Sequence, residues 1–299
     1  MSDLIIMCGL PASGKSSCAK AVKNSIIIST DDIREEINGN ASIQDNGNLV
    51  FETAFNRIKE NLIQNKYKNV VFDATNINYK KRTDIINRFK KYADNIICNF
   101  VYADYEECLE RNSKRERKVP EEVIKRMYYN FYVPQFFEGF DDIHFENNSN
   151  KTHNFDELKE KLNINQDNPN HKLSLLEHSQ RALIYLINRM NSPFGAVIAM
   201  AGYLHDIGKI KTKAFINSKG EKTDIAHYYS HEKVGAYDSF AYTSGDDLVI
   251  RFYIAELIQW HMLLHQELSE KTIEKYKSKL GIAFWKDLQL LHEADLYAH

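Results

Sequence analysis

The chain of 299 residues has no long hydrophobic run, and no stretch approaches the ~18–20 apolar residues of a membrane-crossing helix. A soluble, cytoplasmic protein without a membrane partner is expected. The first apolar run, Leu4 to Cys8, is preceded by no basic segment and followed by no small-residue cleavage site, so it predicts a buried strand rather than a secretion signal. Cysteine is scarce. Cys8, Cys18, Cys98 and Cys108 show no paired-ligand spacing and read as reduced core thiols, which excludes a disulfide framework. Net charge is nearly absent: 39 Lys+Arg against 41 Asp+Glu leaves −2, which excludes a globally basic nucleic-acid coat but not a local basic patch. Internal repeats and low-complexity tracts are missing as well. What is present is ample core material, with 43% hydrophobic residues including 16 Phe and 17 Tyr. At roughly 100–200 residues per domain, the length predicts two domains.

Short apolar runs alternate with amphipathic stretches in the first half. Strands are expected at Leu4–Cys8, Ile26–Ser29, Val70–Phe72 and Ile96–Tyr102. Helices are expected at Lys15–Lys23, Leu49–Gln64, Tyr79–Tyr92, Tyr105–Ser113 and from Pro120 to about Phe131. This alternation predicts an α/β domain with a parallel sheet over residues 1–147. An Asn-rich, apolar-poor stretch then predicts a linker over 148–167, holding one short helix near Phe155–Leu162. Beyond it strand signals nearly vanish. Leu173–Met190, Ala196–His205, Leu248–His261 and Ile282–Ala298 read as helices, so residues 168–299 are expected to form an all-α bundle.

Directly after the first strand comes Gly9-Leu10-Pro11-Ala12-Ser13-Gly14-Lys15-Ser16, a G-x-x-x-x-G-K-S phosphate loop. Gly9, Ser13, Gly14, Lys15, Ser16 and Ser17 are the expected nucleotide contacts. The glycines let backbone N–H groups turn inward, Lys15 reaches the β- and γ-phosphates, and Ser16 helps hold Mg²⁺. Asp31, at the end of the second strand in Ser29-Thr30-Asp31-Asp32-Ile33-Arg34, can take a proton from an attacking hydroxyl or can cap a helix. Asp73-Ala74-Thr75-Asn76 can position an acceptor or the metal's water shell, or serve as a plain turn. The run Arg111 to Lys118 holds five basic residues in eight, suited to a lid over phosphates or to a solvated surface.

Together these motifs resemble the 5′-polynucleotide kinases of the bacteriophage type over residues 1 to about 145. Val119-Pro120 and Arg126-Met127-Tyr128 continue the match; the run at Asp73–Asn76 is one residue longer than in the phage enzyme. The resemblance implies Asp31 as general base for a 5′-OH, Arg34 on the acceptor's 3′-side phosphate, and Arg115 with Arg111 as lid arginines on the donor. ATP or another NTP with Mg²⁺ is the implied cofactor.

Histidine is concentrated in the second half, which holds all eleven except His144. Leu204-His205-Asp206-Ile207-Gly208-Lys209 offers one ion an adjacent nitrogen and oxygen, with Lys209 placed for a phosphate. With Glu177-His178 upstream and Ala294-Asp295 downstream, the order H…HD…D resembles the HD phosphohydrolases. The flanking Asn168-Pro169-Asn170-His171 strengthens the match. The resemblance implies metal ligands His178, His205, Asp206 and Asp295. His231 and His261 match the extra histidines of binuclear members. His227, four residues before His231, can share its helix face; His265 is expected in a supporting or surface position, and His171 against phosphate or a neighbouring residue. Nitrogen and oxygen donors of this kind suit one or two divalent ions among Mn, Fe, Co, Ni and Zn.

The segment is also similar to the HD module of CCA-adding nucleotidyltransferases. The whole chain resembles fused HD hydrolase–polynucleotide kinase repair enzymes, here with the kinase first. That resemblance implies healing of both ends of broken RNA, tRNA or DNA among its targets, and a separate RNA ligase as partner. Basic patches at Lys80–Arg82 and Arg111–Lys118 are expected to hold a strand end, and Tyr128, Tyr129, Phe131 and Tyr132 to pack in a core or stack on bases. Two other readings stay open: a small-molecule kinase fused to an HD nucleotidase, and an NTP-gated, non-catalytic module.

Overall fold

A computed structural model describes residues 1–41, 45–169, 171–189 and 193–299. Asn170 and Met190, named above, lie outside the described residues. The chain divides into two compact units: Met1–Tyr128 with Pro134–Lys151, and Tyr129–Val133 with Thr152–His299.

In the first unit the elements run β1 (Asp3–Cys8), α1 (Lys15–Ala21), β2 (Ser25–Ser29), α2 (Thr30–Asn38), α3 (Gly47–Gln64), β3 (Asn69–Asp73), α4 (Tyr79–Phe89), β4 (Ile96–Tyr102), α5 (Tyr105–Ser113), α6 (Glu121–Tyr129, whose last residue counts with the second unit) and β5 (Asp142–Asn147). The five strands form one sheet in the order β2-β3-β1-β4-β5, with every pairing parallel. The central strands are buried on both faces: Leu4, Ile6, Met7, Val70, Val71, Phe72, Phe100 and Val101 are all fully inaccessible. That is why they read as continuous apolar runs. The chain first lays β2 and β3 on one side of β1, then crosses to β4 on the other. The crevice at the carboxyl end of β1 is thus the switch point where such sheets bind ligands, and the phosphate loop starts there.

The strand β5 was not expected from the sequence. Only Ile143 of its six residues is buried, so it offers no apolar run, and its place comes from pairing with β4. Cys8, Cys98 and Cys108 are buried free thiols and Cys18 is half-buried.

The second unit is mostly helical: α7 (Phe155–Leu162), α8 (Leu175–Ile187), α9 (Pro193–Leu204), α10 (Lys209–Thr212), α11 (His231–Tyr242), α12 (Leu248–Trp260), α13 (Glu270–Leu280) and α14 (Ile282–Ala298). It also carries an antiparallel hairpin, β6 (Ala214–Ile216) with β7 (Lys222–His227), that the sequence reading lacked. Tyr129, Phe131 and Tyr132 pack here: Tyr129 donates to the Lys211 carbonyl at 2.6 Å and Phe131 meets Tyr237 edge-on at 4.8 Å. No helix among the described residues is long and apolar enough to cross a membrane.

Candidate active sites: a phosphate cradle and a metal centre

The cradle is a turn that only glycine can make. Gly9 has φ +156°, and a Cβ there would lie 2.5 Å from the Val101 carbonyl, a backbone atom that cannot yield. Gly14, at φ +99°, caps α1, and the free N–H groups at the start of a helix suit an anion. The Asn148 amide donates to the Ser13 carbonyl at 3.0 Å, and Arg111 donates to the Asn148 carbonyl at 2.6 Å. The first residue of the expected linker therefore braces the phosphate loop, and nothing local in the sequence marks it. The Ser13 hydroxyl is buried without a hydrogen-bond partner, a donor in want of an acceptor.

Lys15 is buried and its ammonium donates to the Leu10 carbonyl at 2.7 Å. Burial lowers its pKa, against the pull of Asp73. Asp73 ends β3 and is buried; burial raises its carboxyl, while the Ser16 hydroxyl bonded to it and Lys15 oppose that rise. A hydroxyl–carboxylate pair of this kind holds Mg²⁺ in P-loop enzymes.

Asp31 lies in the first turn of α2 but does not cap it: Ser29 does, accepting from the Asp32 N–H at 3.2 Å. The Asp31 carboxylate instead meets Arg34 at 2.8 Å and Arg117 at 3.1 Å. Arg117 also donates to the Ala41 carbonyl at 2.7 Å; sequence reasoning had placed it only within the basic run. Arg115 lies near enough to Lys15 to depress its pKa. Arg111 is taken up by Asn148 and by Glu107 at 3.7 Å.

One expected patch residue is not at the surface. Arg82 is fully buried, bound through two nitrogens to Glu138 at 2.7 and 2.6 Å, and donates to the Asn76 carbonyl at 2.8 Å. It supports the Asp73–Asn76 turn and cannot touch a nucleic acid. Its neighbours in sequence, Lys80 and Lys81, remain exposed. Tyr128 is buried and stacks on Tyr105 at 4.3 Å.

The metal centre is built from five separate segments. A Ser174–Glu177 capping box starts α8, with His178 one residue on. His205 and Asp206 occupy the turn after α9, His231 opens α11, His261 follows α12, and Asp295 lies on α14. Gly208 permits the closeness: a Cβ there would lie 2.0 Å from the His231 carbonyl. Two triads result, His178–His205–Asp295 and Asp206–His231–His261, all buried.

The His178 Nε2 lies 3.1 Å from His205 Nε2, 3.3 Å from Asp206 Oδ2 and 3.1 Å from Asp295 Oδ1. The other Asp206 oxygen, Oδ1, faces His231 Nε2 at 3.3 Å and His261 Nε2 at 3.8 Å. His231 and His261 are 3.2 Å apart through their Nε2 atoms. The Nδ1 atoms of His178, His205, His231 and His261 each face a backbone carbonyl, at 3.3, 2.7, 2.7 and 2.6 Å. The Nδ1 proton is thereby fixed and every Nε2 is turned inward, where it can carry a proton or bind a metal ion. Nitrogens and carboxylate oxygens crowded this closely need protons or a cation among them. Donors about 2.0–2.2 Å from one ion sit about 3 Å from each other, so the residues fit one ion in each triad, with Asp206 between them.

The electrostatics agree. Burial opposes ionisation of Asp206, yet Lys209 and His205 hold it well below the usual carboxylate range; Asp295 is held low against burial by His205 and His178. Burial pushes His205 down, but Asp206 and Asp295 outweigh it and lift the imidazole to about 10. His231 is lowered by burial, and His261 by burial with His231 and His205 beside it. Lys209 pairs with Asp206 Oδ2 at 2.7 Å and donates to Gln166 at 3.1 Å. Of the other histidines, His265 binds the second Asp295 oxygen at 2.8 Å and His292 lies beside it. His171 packs against His299 and is lowered to about 4, by burial first and then by the charges of Lys209 and His299. His227 does not share a helix face with His231: it lies on β7, stacked on Tyr229, because α11 begins only at His231.

Comparison with known proteins finds an AAA domain over residues 4–134 and an HD domain over residues 175–297. An L-seryl-tRNA(Sec) kinase from Methanococcus maripaludis is 34% identical over 144 residues, 44% of this chain and 53% of the relative. The chain thus spans about half the length of that curated relative. A solved structure of the Pnkp1/Rnl/Hen1 RNA repair complex aligns with TM-score 0.39 and 23% identity, over 43% of this chain and 43% of that one. A gluconokinase from Sinorhizobium meliloti aligns with TM-score 0.36 and 15% identity, over 48% of this chain and 82% of that one. A P-loop kinase domain implies nucleotide with Mg²⁺, and an HD domain implies divalent metal. The chain is accordingly a fusion of an amino-terminal P-loop kinase domain, on a five-stranded parallel sheet, with a mostly helical carboxyl-terminal HD domain.

Proposed function

We propose that this chain is a bifunctional RNA end-healing enzyme. Its kinase unit phosphorylates 5′-OH ends, and its HD unit removes 3′-phosphate or 2′,3′-cyclic phosphate ends. The observation that carries the proposal is the presence of two differently built phosphoryl sites in one chain: a nucleotide cradle with a carboxylate beside it, and a buried six-ligand centre. A kinase and a phosphatase acting on one small metabolite would undo each other. Acting on opposite ends of a broken strand, they prepare both for sealing, which gives a separate RNA ligase its place as partner.

In the kinase unit the cradle and Lys15 hold the donor phosphates, with Ser16 and Asp73 as holders of Mg²⁺. Asp31 takes the proton of the attacking hydroxyl. Arg34 binds the phosphate on the 3′ side of that nucleotide, and Arg115 neutralises the transferring group. In the HD unit a divalent ion among Mn, Fe, Co, Ni and Zn would supply Lewis acidity to a phosphoryl oxygen and to water. The six side chains would hold one such ion in each triad, and Lys209 offers a cation to the substrate's phosphate.

A second reading has its own support, since the curated relative is by name a kinase of a seryl group carried on tRNA. Both readings put an RNA-linked hydroxyl at Asp31; they differ in whether it is a ribose 5′-OH or an aminoacyl side chain. The deciding experiment incubates the full chain, ATP and Mn²⁺ with an RNA bearing 5′-OH and 2′,3′-cyclic phosphate ends, and with seryl-tRNA, then identifies both termini and any phosphoserine. Conversion of both RNA ends supports healing. Phosphorylation of the seryl group alone, or, in a parallel incubation with free nucleosides, of the nucleosides alone, overturns it.

A further inference from the structure

We propose that the hairpin β6–β7 of the HD unit is a stacking platform for the single-stranded 3′ end whose terminal phosphate the metal centre processes. This rests on the reading just given and adds where the bases lie.

Phe215, Ile216, Ile225 and Tyr229 are each 41–48% exposed within one short stretch. Such a cluster in one supersecondary unit marks an interaction surface. Phe215 and Ile216, with Lys222, Thr223 and Asp224, line a cleft of about 480 Å³. That is the size range of sites for small organic groups.

Three features favour nucleic acid as the occupant. His227 and Tyr229 stack with rings 5.5 Å apart and 5° from parallel, which leaves a flat π surface of the kind on which bases pile. Lys219 and Lys222 are exposed beside the apolar residues and can each meet a backbone phosphate, while Glu221 and Asp224 alongside them balance the charge and limit the contact to single phosphates. The platform is also continuous with the chemistry. Tyr229 lies two residues ahead of His231, whose Nε2 faces Asp206, and Tyr228, between His227 and Tyr229, bonds through its hydroxyl to the Gln166 carbonyl with Lys209 over its ring at 5.4 Å. A strand with its terminal phosphate near Lys209 has its preceding bases within reach of the hairpin.

The hairpin is also firmly rooted. The Ala226 N–H donates to the Asp167 carbonyl at 2.9 Å, the Asn168 amide donates to the Ala226 carbonyl at 3.0 Å, and Asn217 accepts from Lys219 and Glu221 N–H groups across the turn. A pre-ordered platform loses little entropy on binding.

The test uses the full chain and an RNA 12-mer with 5′-fluorescein, which blocks the kinase reaction, and a 3′-phosphate. Fluorescence anisotropy reads binding, and hydrolysis of 2′,3′-cyclic AMP reads the metal centre without a strand attached. Phe215→Ala with Tyr229→Ala is expected to weaken 12-mer binding by about tenfold or more, with turnover of 2′,3′-cyclic AMP within twofold of wild type. Tyr229→Phe keeps the ring and is expected to bind as wild type does. Lys219→Glu with Lys222→Glu is expected to weaken binding and flatten its salt dependence. The platform is overturned if the alanine variant binds the 12-mer unchanged, if the wild type does not bind it, or if the variant loses both substrates in parallel. A hairpin that instead drives self-association, read as a concentration-dependent mass lost in the alanine variant, overturns it too. Tight 12-mer binding without any hydrolysis by the wild type fails the end-healing reading while leaving the platform standing.

Discussion

The two candidate sites solve the problem of holding phosphate in opposite ways. The cradle is made almost wholly of one contiguous run, Gly9 to Ser16, and its proposed base is open to solvent: the Asp31 side chain is 56% exposed. The metal centre takes one or two residues from each of five segments, and its His205 side chain is fully buried. A loop that binds with backbone N–H groups needs only a local turn and a strand to hang from. Side chains that bind a cation must be gathered and desolvated, so they depend on the packing of the whole bundle. The first kind of site should tolerate distant mutations and the second should not.

The largest expected effect tests whether the sites are separate. Asp206→Ala removes the carboxylate shared by both triads, and phosphate-end hydrolysis should fall by about 10³-fold or more, with bound metal lost by elemental analysis and kinase turnover retained. Asp31→Ala should do the reverse, with a kinase loss of about 10²–10⁴-fold. If either change abolishes both activities in a folded chain, the contrast between two independent sites breaks.

Next comes the support under the cradle. Breaking the buried Arg82–Glu138 pair on one side, as in Glu138→Gln, is expected to cost about 3–5 kcal/mol in urea unfolding of the first unit. Arg82→Met with Glu138→Leu should recover much of it. If Glu138→Gln is neutral, the cradle is even more self-contained than the comparison holds.

A smaller effect is read with pH at the metal centre. Asp206 and Asp295 keep His205 protonated up to about 10 and raise His178 as well, so a metal ion must displace those protons. Metal affinity should therefore fall as pH falls, by about tenfold per unit for each proton displaced, in chelator competition. The metal-free protein behaves oppositely. With its pKa raised in the fold, His205 contributes stability that is fully present below about 6.5, its unfolded value, and is lost as pH rises through about 10. A metal affinity flat from pH 6 to 8 contradicts this account.

The smallest effect belongs to Arg117. Its pair with Asp31 is partly exposed, so Arg117→Ala should change stability by less than about 1 kcal/mol, while raising the acceptor's KM a few-fold. A large loss of kcat would move Arg117 into the reacting site itself.

Legibility followed the same division. The phosphate loop was readable because its glycines, lysine and serine are consecutive and its flanking strand is a plain apolar run. The candidate ligands of the HD unit were named from an H…HD…D order, but their arrangement was not. Where sequence reasoning went astray, a distant partner decided the outcome. Arg82 looked like one of three surface cations until Glu138, 56 residues away, matched it in the interior. β5 exists through its ladder with β4 rather than through its own composition. Spacing suggested a shared helix face for His227 and His231, whereas a hairpin ends between them. Asn148 sits in a polar stretch that reads as linker, yet it braces Ser13.

By itself the sequence determined what depends on neighbours along the chain: the alternating strands and helices, the glycine turn, the cap-and-helix starts, and the identity of residues able to bind phosphate or metal. The tertiary structure alone decided which of them meet. It turned the two oxygens of Asp206 toward different triads, set Arg117 on Asp31 across 86 residues, and buried Arg82. Backbone conformation is fixed by local sterics and hydrogen bonding, whereas the approach of side chains far apart in sequence is fixed by how whole elements pack.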